Sequence, residues 1–208
     1  MFEEALFGNA KATLAILGES KLLNNAYLAG GTALALQLGH RVSFDLDFFT
    51  PKEFDYRSVC VKLKKIIDFK VDEARNGTIL GKISDIKFSL FVYKYKVLFS
   101  FKKFLGINIL DLRDIAAMKI VAISDRGIKR DFVDLCFICK TGISLNDILN
   151  FYDKKYEKLA SNLIHIKKSL VYFADAEGQE TPRMLKLCNW NEVKKFFETE
   201  VKKIVLKR

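Results

Sequence analysis

Two aspartates one residue apart, Asp45 and Asp47, sit in the apolar stretch "SFDLDFF", about a dozen residues after the "GGT" of Gly30, Gly31 and Thr32. In a strand alternate side chains share a face, so Ser43, Asp45 and Asp47 project on one side and Val42, Phe44, Leu46 and Phe48 on the other. Carboxylates placed together favour protonation and cost stability unless a cation compensates them. Mg²⁺ does this with one or two carboxylates and substrate phosphates, and Mn²⁺ accepts the same oxygen donors. The glycines supply the other half of such a site. They precede a predicted helix whose free N–H groups and dipole favour an anion, and their missing side chains let a phosphate approach closely. Thr32 is placed to cap that helix or to bond a phosphate oxygen. Each part alone is ordinary, a turn or a solvated strand face; together they point to nucleotide binding and displacement at phosphorus.

A second set of residues follows in "DLRDIAAMKIVAISDRG". Positions seven apart share a helix face, which puts Lys119 and Arg126 on an otherwise apolar stripe. Arg is suited to grip phosphate by its fork and Lys as a point charge, while a lone lysine there can also snorkel to solvent. The next helix carries Asp131 and Asp134, the latter enclosed by Phe132, Val133, Leu135, Cys136, Phe137 and Ile138. A carboxylate so placed needs a partner, and Lys119 or Arg126 is the obvious one. A phosphate-binding role and a salt bridge joining two helices both remain open.

The elements that would position these groups divide into two kinds. Up to about residue 110 the pattern is mixed: a helix around Phe2 to Gly18, a strand near Tyr27 to Ala29, a helix from Thr32 to Leu38 with Gly39 as C-cap, a strand from Val42 to Phe49, then a helix in "YRSVCVKLKKIIDF" and antiparallel strands turning at Asn76-Gly77. From Asp111 the periods are helical, through "KRDFVDLCFICKTG", "SLNDILNFYDKKYEKLASNLIHIKKSLVYFAD" and "NWNEVKKFFETEVKKIVLKR". The expected fold class is α+β, a small mixed or antiparallel sheet domain over residues 1–110 followed by a helical domain over 111–208.

Half of the 208 residues are hydrophobic, enough for a substantial core, and Lys+Arg exceed Asp+Glu by ten. The positive balance suits a polyanionic partner such as RNA or nucleotide phosphates. His40, Arg41 and the lysines of the last helix are candidate RNA contacts, although exposed basic residues are ordinarily a solvated face. Of Cys60, Cys136, Cys139 and Cys188 only the middle pair has C-x-x-C spacing, and it lies in an apolar run with no nearby histidines, which reads as reduced core thiols. Glu3 and Glu4 stand where an export signal would carry positive charge, and Lys94 and Lys96 break the apolar run "FSLFVYKYKVLFSF". The expectation is a cytoplasmic protein with no membrane partner.

These residues resemble the AbiEii/AbiGii nucleotidyltransferase toxins, within the DNA polymerase β-like nucleotidyltransferase superfamily. The resemblance rests on "LAGGTALALQLGHRVSFDLDFF", on "KIVAISDRGIKRDFVDL" with its K-x6-R-x4-D-x2-D pattern, and on the ending "FADAEGQETPRML...NWNEVKKFF". It implies that Gly30, Gly31 and Thr32 hold triphosphate with Ser43 nearby, that Asp45 and Asp47 bind Mg²⁺, and that Lys119, with Arg126, contacts phosphate while Asp134 completes the site from the helical domain. It further implies nucleoside monophosphate transfer from NTP to an acceptor hydroxyl, the expected acceptor being RNA and specifically the tRNA acceptor end, in a toxin–antitoxin or abortive-infection system with a cognate antitoxin protein. The superfamily's third carboxylate, on a neighbouring strand, has no clear counterpart: "KISDIKFSLFVYKY" offers Lys87, Ser89 and Phe91 on one face and Asp85 near its start, leaving Asp134 as a candidate general base. Alternatives are transfer to a small molecule or protein, the net positive charge speaking against a cationic antibiotic, and a non-catalytic nucleotide- or RNA-binding protein.

Overall fold

A computed structural model describes residues 1–204, without the side chains of Leu159 and Ala160. It resolves the chain into two units: Met1–Tyr95 with Phe99–Asp111, and Lys96–Leu98 with the chain from Leu112 onward.

The first unit is built on α1 (Ala10–Glu19), β1 (Tyr27–Leu28), α2 (Gly30–Leu38), β2 (Asp45–Thr50), α3 (Tyr56–Ile66), β3 (Phe69–Arg75), β4 (Thr78–Ile83), β5 (Ile86–Val92), β6 (Lys102–Phe104) and β7 (Ile107–Ile109). All seven strands join one mixed sheet in the order β3-β4-β5-β2-β1-β7-β6. β2 runs parallel to β5 and β1 parallel to β7, and the other neighbours are antiparallel. One face holds the core. Leu46, Phe48, Phe88, Ile79, Ile83 and Phe69 are nearly or fully buried, and the Phe48, Phe88 and Phe69 rings pack in succession at centroid distances of 5.6 and 5.5 Å. Burying each such ring contributes about 2 kcal/mol. α3 packs against β3 and β4 with Leu63 fully buried, and Asp55 caps it by accepting the Arg57 N–H at 3.1 Å.

Several expected boundaries move for local reasons. The first helix does not begin at Phe2: a 3-10 turn over Glu3–Ala5 is separated from α1 by Gly8, whose φ of +54° cannot continue a helix. β2 begins at Asp45 because Ser43 bridges to Leu6 outside the sheet's named strands. The hairpin at Asn76-Gly77 and the C-cap at Gly39 form as expected, Gly39 in the left-handed region donating to Ala35 O at 2.8 Å. The β6–β7 hairpin was not foreseen. Its two-residue turn, Leu105 and Gly106, has positive φ at both positions, and leucine is an unusual residue for the first.

The second unit contains α4 (Leu112–Arg126), α5 (Lys129–Cys139), α6 (Leu145–Tyr156), α7 (Leu159–Ser169), α8 (Ala174–Glu177) and α9 (Trp190–Glu200). The run from Ser144 to Asp175 is three helices, broken where Glu157 takes a left-handed φ of +57°. The last expected helix ends as α9 with a 3-10 turn over Val201–Lys203, and its final four residues lie outside those described. Fully buried Phe132 of α5 packs on Phe173, Trp190 and Phe197. Asp114 and Lys155, both without exposed side-chain surface, pair at 2.8 Å, and Asp114 also accepts the Leu98 N–H. Among the described residues no helix is long and apolar enough to cross a membrane.

All four cysteines are free thiols. Burial pushes Cys136 up to about 11 and Cys139 up to about 12, so neither behaves as a reactive thiolate.

Candidate active site

The turn from β1 into α2 is where backbone chemistry is most constrained. Gly30 opens the helix with φ +64°, and a Cβ added there would stand 3.0 Å from Asp47 Oδ2. Glycine is therefore required twice, for the conformation and for the space beside that carboxylate. At Gly31 a Cβ would overlap the Arg41 guanidinium and stand 3.2 Å from Ser43 Oγ. The first turn of α2 thus lies directly against the strand that carries the aspartates.

The helix begins two residues before Thr32, which corrects the expected cap. Ala29 is the N-cap residue and makes no side-chain cap bond, while Thr32 is buried. The Thr32 hydroxyl donates to the Asp45 carbonyl and lies 2.8 Å from Ser43 Oγ, tying α2 to β2. Thr32 and Ser43 support the site from beneath, and both are buried. The N–H groups of the helix start at Gly30 and Gly31 are of the kind that have no acceptor within the helix.

On β2, Asp45 and Asp47 are half-buried and alternate with buried Leu46 and Phe48, as the period of a strand requires. The parallel pairing with β5 sets Lys87 opposite Asp45 and Ser89 opposite Asp47. Ser89 Oγ donates to Asp47 Oδ1 at 2.5 Å. Ser89 occupies the neighbouring-strand position opposite Asp47 where the superfamily's third carboxylate is expected, and Asp85 is exposed in the β4–β5 turn instead. Among the described residues no group of three His, Cys, Asp or Glu side chains is placed to hold a metal. The donors nevertheless fit a hard divalent cation: two carboxylates on one face, one of them oriented by a hydroxyl, with a glycine keeping the space beside Asp47 Oδ2 clear.

His40 and Arg41 are not RNA contacts of the kind expected, because they are 0% and 4% exposed. Arg41 continues the alternation of Ser43, Asp45 and Asp47, and its Nη1 donates to Val42 O at 3.1 Å. Its buried cation beside Gly31 was the feature least visible in the sequence, where it looks like any surface arginine.

In the second unit α4 and α5 bring the other expected residues together. Lys119 Nζ is 2.7 Å from Asp131 Oδ1 and 2.6 Å from Asp134 Oδ2. Arg126 binds the same Asp131 through Nε at 3.0 Å and Nη2 at 3.3 Å. Both aspartates lack exposed side-chain surface, Lys119 has 7%, and Arg126 has 52%. The K-x6-R-x4-D-x2-D spacing is thus an ion network between two helices. Asp134 is engaged by Lys119 and has no open surface from which to accept a substrate proton, so the structure gives no support to its expected role as general base.

The first unit thus sets a glycine turn feeding a helix against a strand with two alternate aspartates, and comparisons with known proteins give the chain's class as a nucleotidyltransferase. The family model described as nucleotidyl transferase AbiEii toxin, type IV toxin–antitoxin system, matches residues 13–102 and 91–203. The chain belongs to that family. It is 40% identical over 186 residues to protein aq_aa25 of Aquifex aeolicus (strain VF5), covering 87% of this chain and 88% of that protein. In fold it is similar to JHP933 from Helicobacter pylori, with a TM-score of 0.55 at 19% identity over 97% of this chain and 91% of that one. It is also similar to the nucleotidyltransferase toxin MenT4 from Mycobacterium tuberculosis H37Rv, with a TM-score of 0.54 at 15% identity over 94% and 85% of the two chains. The protein is a nucleotidyltransferase toxin of a type IV toxin–antitoxin system, with a nucleotide substrate and an antitoxin as partner.

Proposed function

We propose that this toxin transfers a nucleoside monophosphate from an NTP to a hydroxyl of RNA, with the acceptor end of tRNA as the target, in a Mg²⁺-dependent reaction. The observation that carries the reading is the closeness of the Gly30 turn to Asp47 Oδ2. It sets an anion-binding helix start beside a pair of carboxylates, the two halves that a nucleotide with its counter-ion requires.

The triphosphate is held by the N–H groups of Gly30 and Gly31. Asp45 and Asp47 hold the cation, which when bound neutralises phosphate charge and favours displacement at phosphorus. Ser89 fixes the Asp47 carboxylate in one orientation, so that no reorganisation is needed as charge develops. The acceptor hydroxyl attacks the α-phosphorus and pyrophosphate leaves. With no carboxylate opposite Asp47 on β5, deprotonation of the attacking hydroxyl falls to Asp45 or Asp47 or to solvent. Lys119 and Asp134, which the family resemblance assigns to phosphate contact and catalysis, serve in this reading to hold α4 to α5.

The chain's excess of ten positive charges favours an RNA acceptor over a cationic small molecule. Incubation with each α-labelled NTP, Mg²⁺ and total cellular RNA tests it, with Asp47→Asn as control. Label is expected in tRNA with the wild-type protein alone. Label confined to small molecules or protein, or absent from every pool, overturns the RNA reading.

A further inference from the structure

The sheet register places three lysines in a line beside the aspartates. Asp45 is paired with Lys87, Lys87 with Lys82, and Lys82 with Lys70, so the four side chains occupy neighbouring positions on one face across β2, β5, β4 and β3. All three lysines are exposed, and none forms an ion pair among the described residues. Their sequence separations hide the row, since only the strand order brings Lys70, Lys82 and Lys87 together.

Like charges directly opposite each other destabilise a sheet. Asp45 faces Lys87 at one end of the row; at the other, Glu73 on β3 is taken by Arg75 at 2.8 Å, and Asp85 is in the turn beyond the row. With three lysines against the one carboxylate of Asp45, the row carries an excess of positive charge over about 10 Å, two interstrand steps. It also has a direction. α2 begins on the β1 side of β2, where Gly30 and Gly31 meet the triphosphate in the proposed function, and the lysines lead away on the β5 side. Two pairs further along the same strands Phe49 lies opposite Phe91, with ring centroids 5.6 Å apart and both rings half-buried. Lysines tracking a backbone beside aromatic rings are the elements of a single-stranded nucleic acid surface.

We propose that Lys87, Lys82 and Lys70 form the track for the backbone phosphates of the RNA acceptor, guiding its 3′ end to the aspartates. The inference rests on the RNA-acceptor reading above and adds to it the surface that selects RNA over small acceptors.

The test is the triple variant K70Q/K82Q/K87Q, compared with wild type for transfer of label to RNA and for RNA binding between 50 and 200 mM salt. Three lost phosphate contacts lower the salt slope by about 2 and weaken RNA binding about 100-fold at 0.1 M salt. NTP affinity should stay at its wild-type value, and thermal stability should stay level or rise as the like charges are removed. Should the triple variant fold poorly, Lys82→Gln alone, at the centre of the row, should lower the slope by about 0.7. If wild type labels RNA and the variant does so with unchanged KM and salt slope, the track is overturned while the RNA reading stands. If wild type neither binds nor labels RNA, both fall. A variant that keeps its RNA affinity but escapes the antitoxin also overturns the track, showing the row to be a protein-binding surface.

Discussion

Asp45 and Asp47 on β2 and Asp131 and Asp134 on α5 are both carboxylate pairs set on one face by the period of their element, two residues in the strand and three in the helix. Their surroundings are opposite. The α5 pair is wholly buried against Lys119 and Arg126, so its charge is answered within the fold. The β2 pair is half-buried, Asp47 accepts the Ser89 hydroxyl that orients it, and the adjoining residue is a glycine that keeps space open. Spacing therefore says that two carboxylates are neighbours, and the partners decide what they do. A wholly buried pair answered by Lys119 and Arg126 joins helices, whereas a half-buried pair beside a glycine turn keeps an accessible face.

The sharpest way to break this contrast is to neutralise one member of each pair. Asp47→Asn should reduce nucleotide transfer by more than about 100-fold, beyond what outer-sphere partners of a metal usually cost. Its thermal melt should stay near that of wild type. Asp134→Asn should do the reverse, because it leaves Lys119 with an unanswered share of buried charge and costs about 3–5 kcal/mol of stability. Chemical denaturation measures that loss, and transfer per folded molecule should be little altered. A variant at Asp134 that melts normally yet loses kcat at constant nucleotide KM would return this residue to catalysis and erase the distinction.

The legible part of the molecule follows the same division. Alternation in "SFDLDFF" was enough to put Asp45 and Asp47 on one face, because the strand has buried residues at every other position. The glycine pair was readable as a turn before a helix, although the helix start lies at Gly30 and not at Thr32, since nothing local shows that the Thr32 hydroxyl is drawn down to the Asp45 carbonyl. In α4 and α5 the candidate partners of Asp134 are readable from burial and charge, but their shared geometry through Asp131 is not. What stayed hidden depends on long-range register. Ser89 and the lysine row acquire meaning only once β5 is known to pair with β2 in parallel and with β4 antiparallel. The short β6–β7 hairpin escaped because its turn begins with leucine in a left-handed conformation.

A smaller effect sharpens the role assigned to the neutral donor. Ser89→Ala removes the bond to Asp47 Oδ1 and should lower activity about 10- to 100-fold, the usual cost of an outer-sphere partner. Because Ser89 acts through Asp47, part of the loss should be recovered at higher Mg²⁺, and Ser89→Thr should restore more activity than Ser89→Ala. A loss indifferent to Mg²⁺ would mean that the hydroxyl serves only packing.

The least disruptive probe is the pair of thiols on the buried helix. Cys136 and Cys139 are raised from 9.0 to about 11 and about 12 by burial, so above pH 9 the unfolded chain gives up these protons before the folded one does. The folded state then binds more protons, and stability falls as pH rises from about 9 toward 11, with no contribution from these groups below that window. Denaturant midpoints taken across this range should fall more steeply for wild type than for a variant with both cysteines replaced by alanine. The same thiols report on the ion network beside them: Asp134→Asn should speed their alkylation at pH 8 by loosening α5, whereas Asp47→Asn should leave the rate unchanged. Equal acceleration by both substitutions would mean that the two aspartate pairs are not the independent open and closed sites that their surroundings describe.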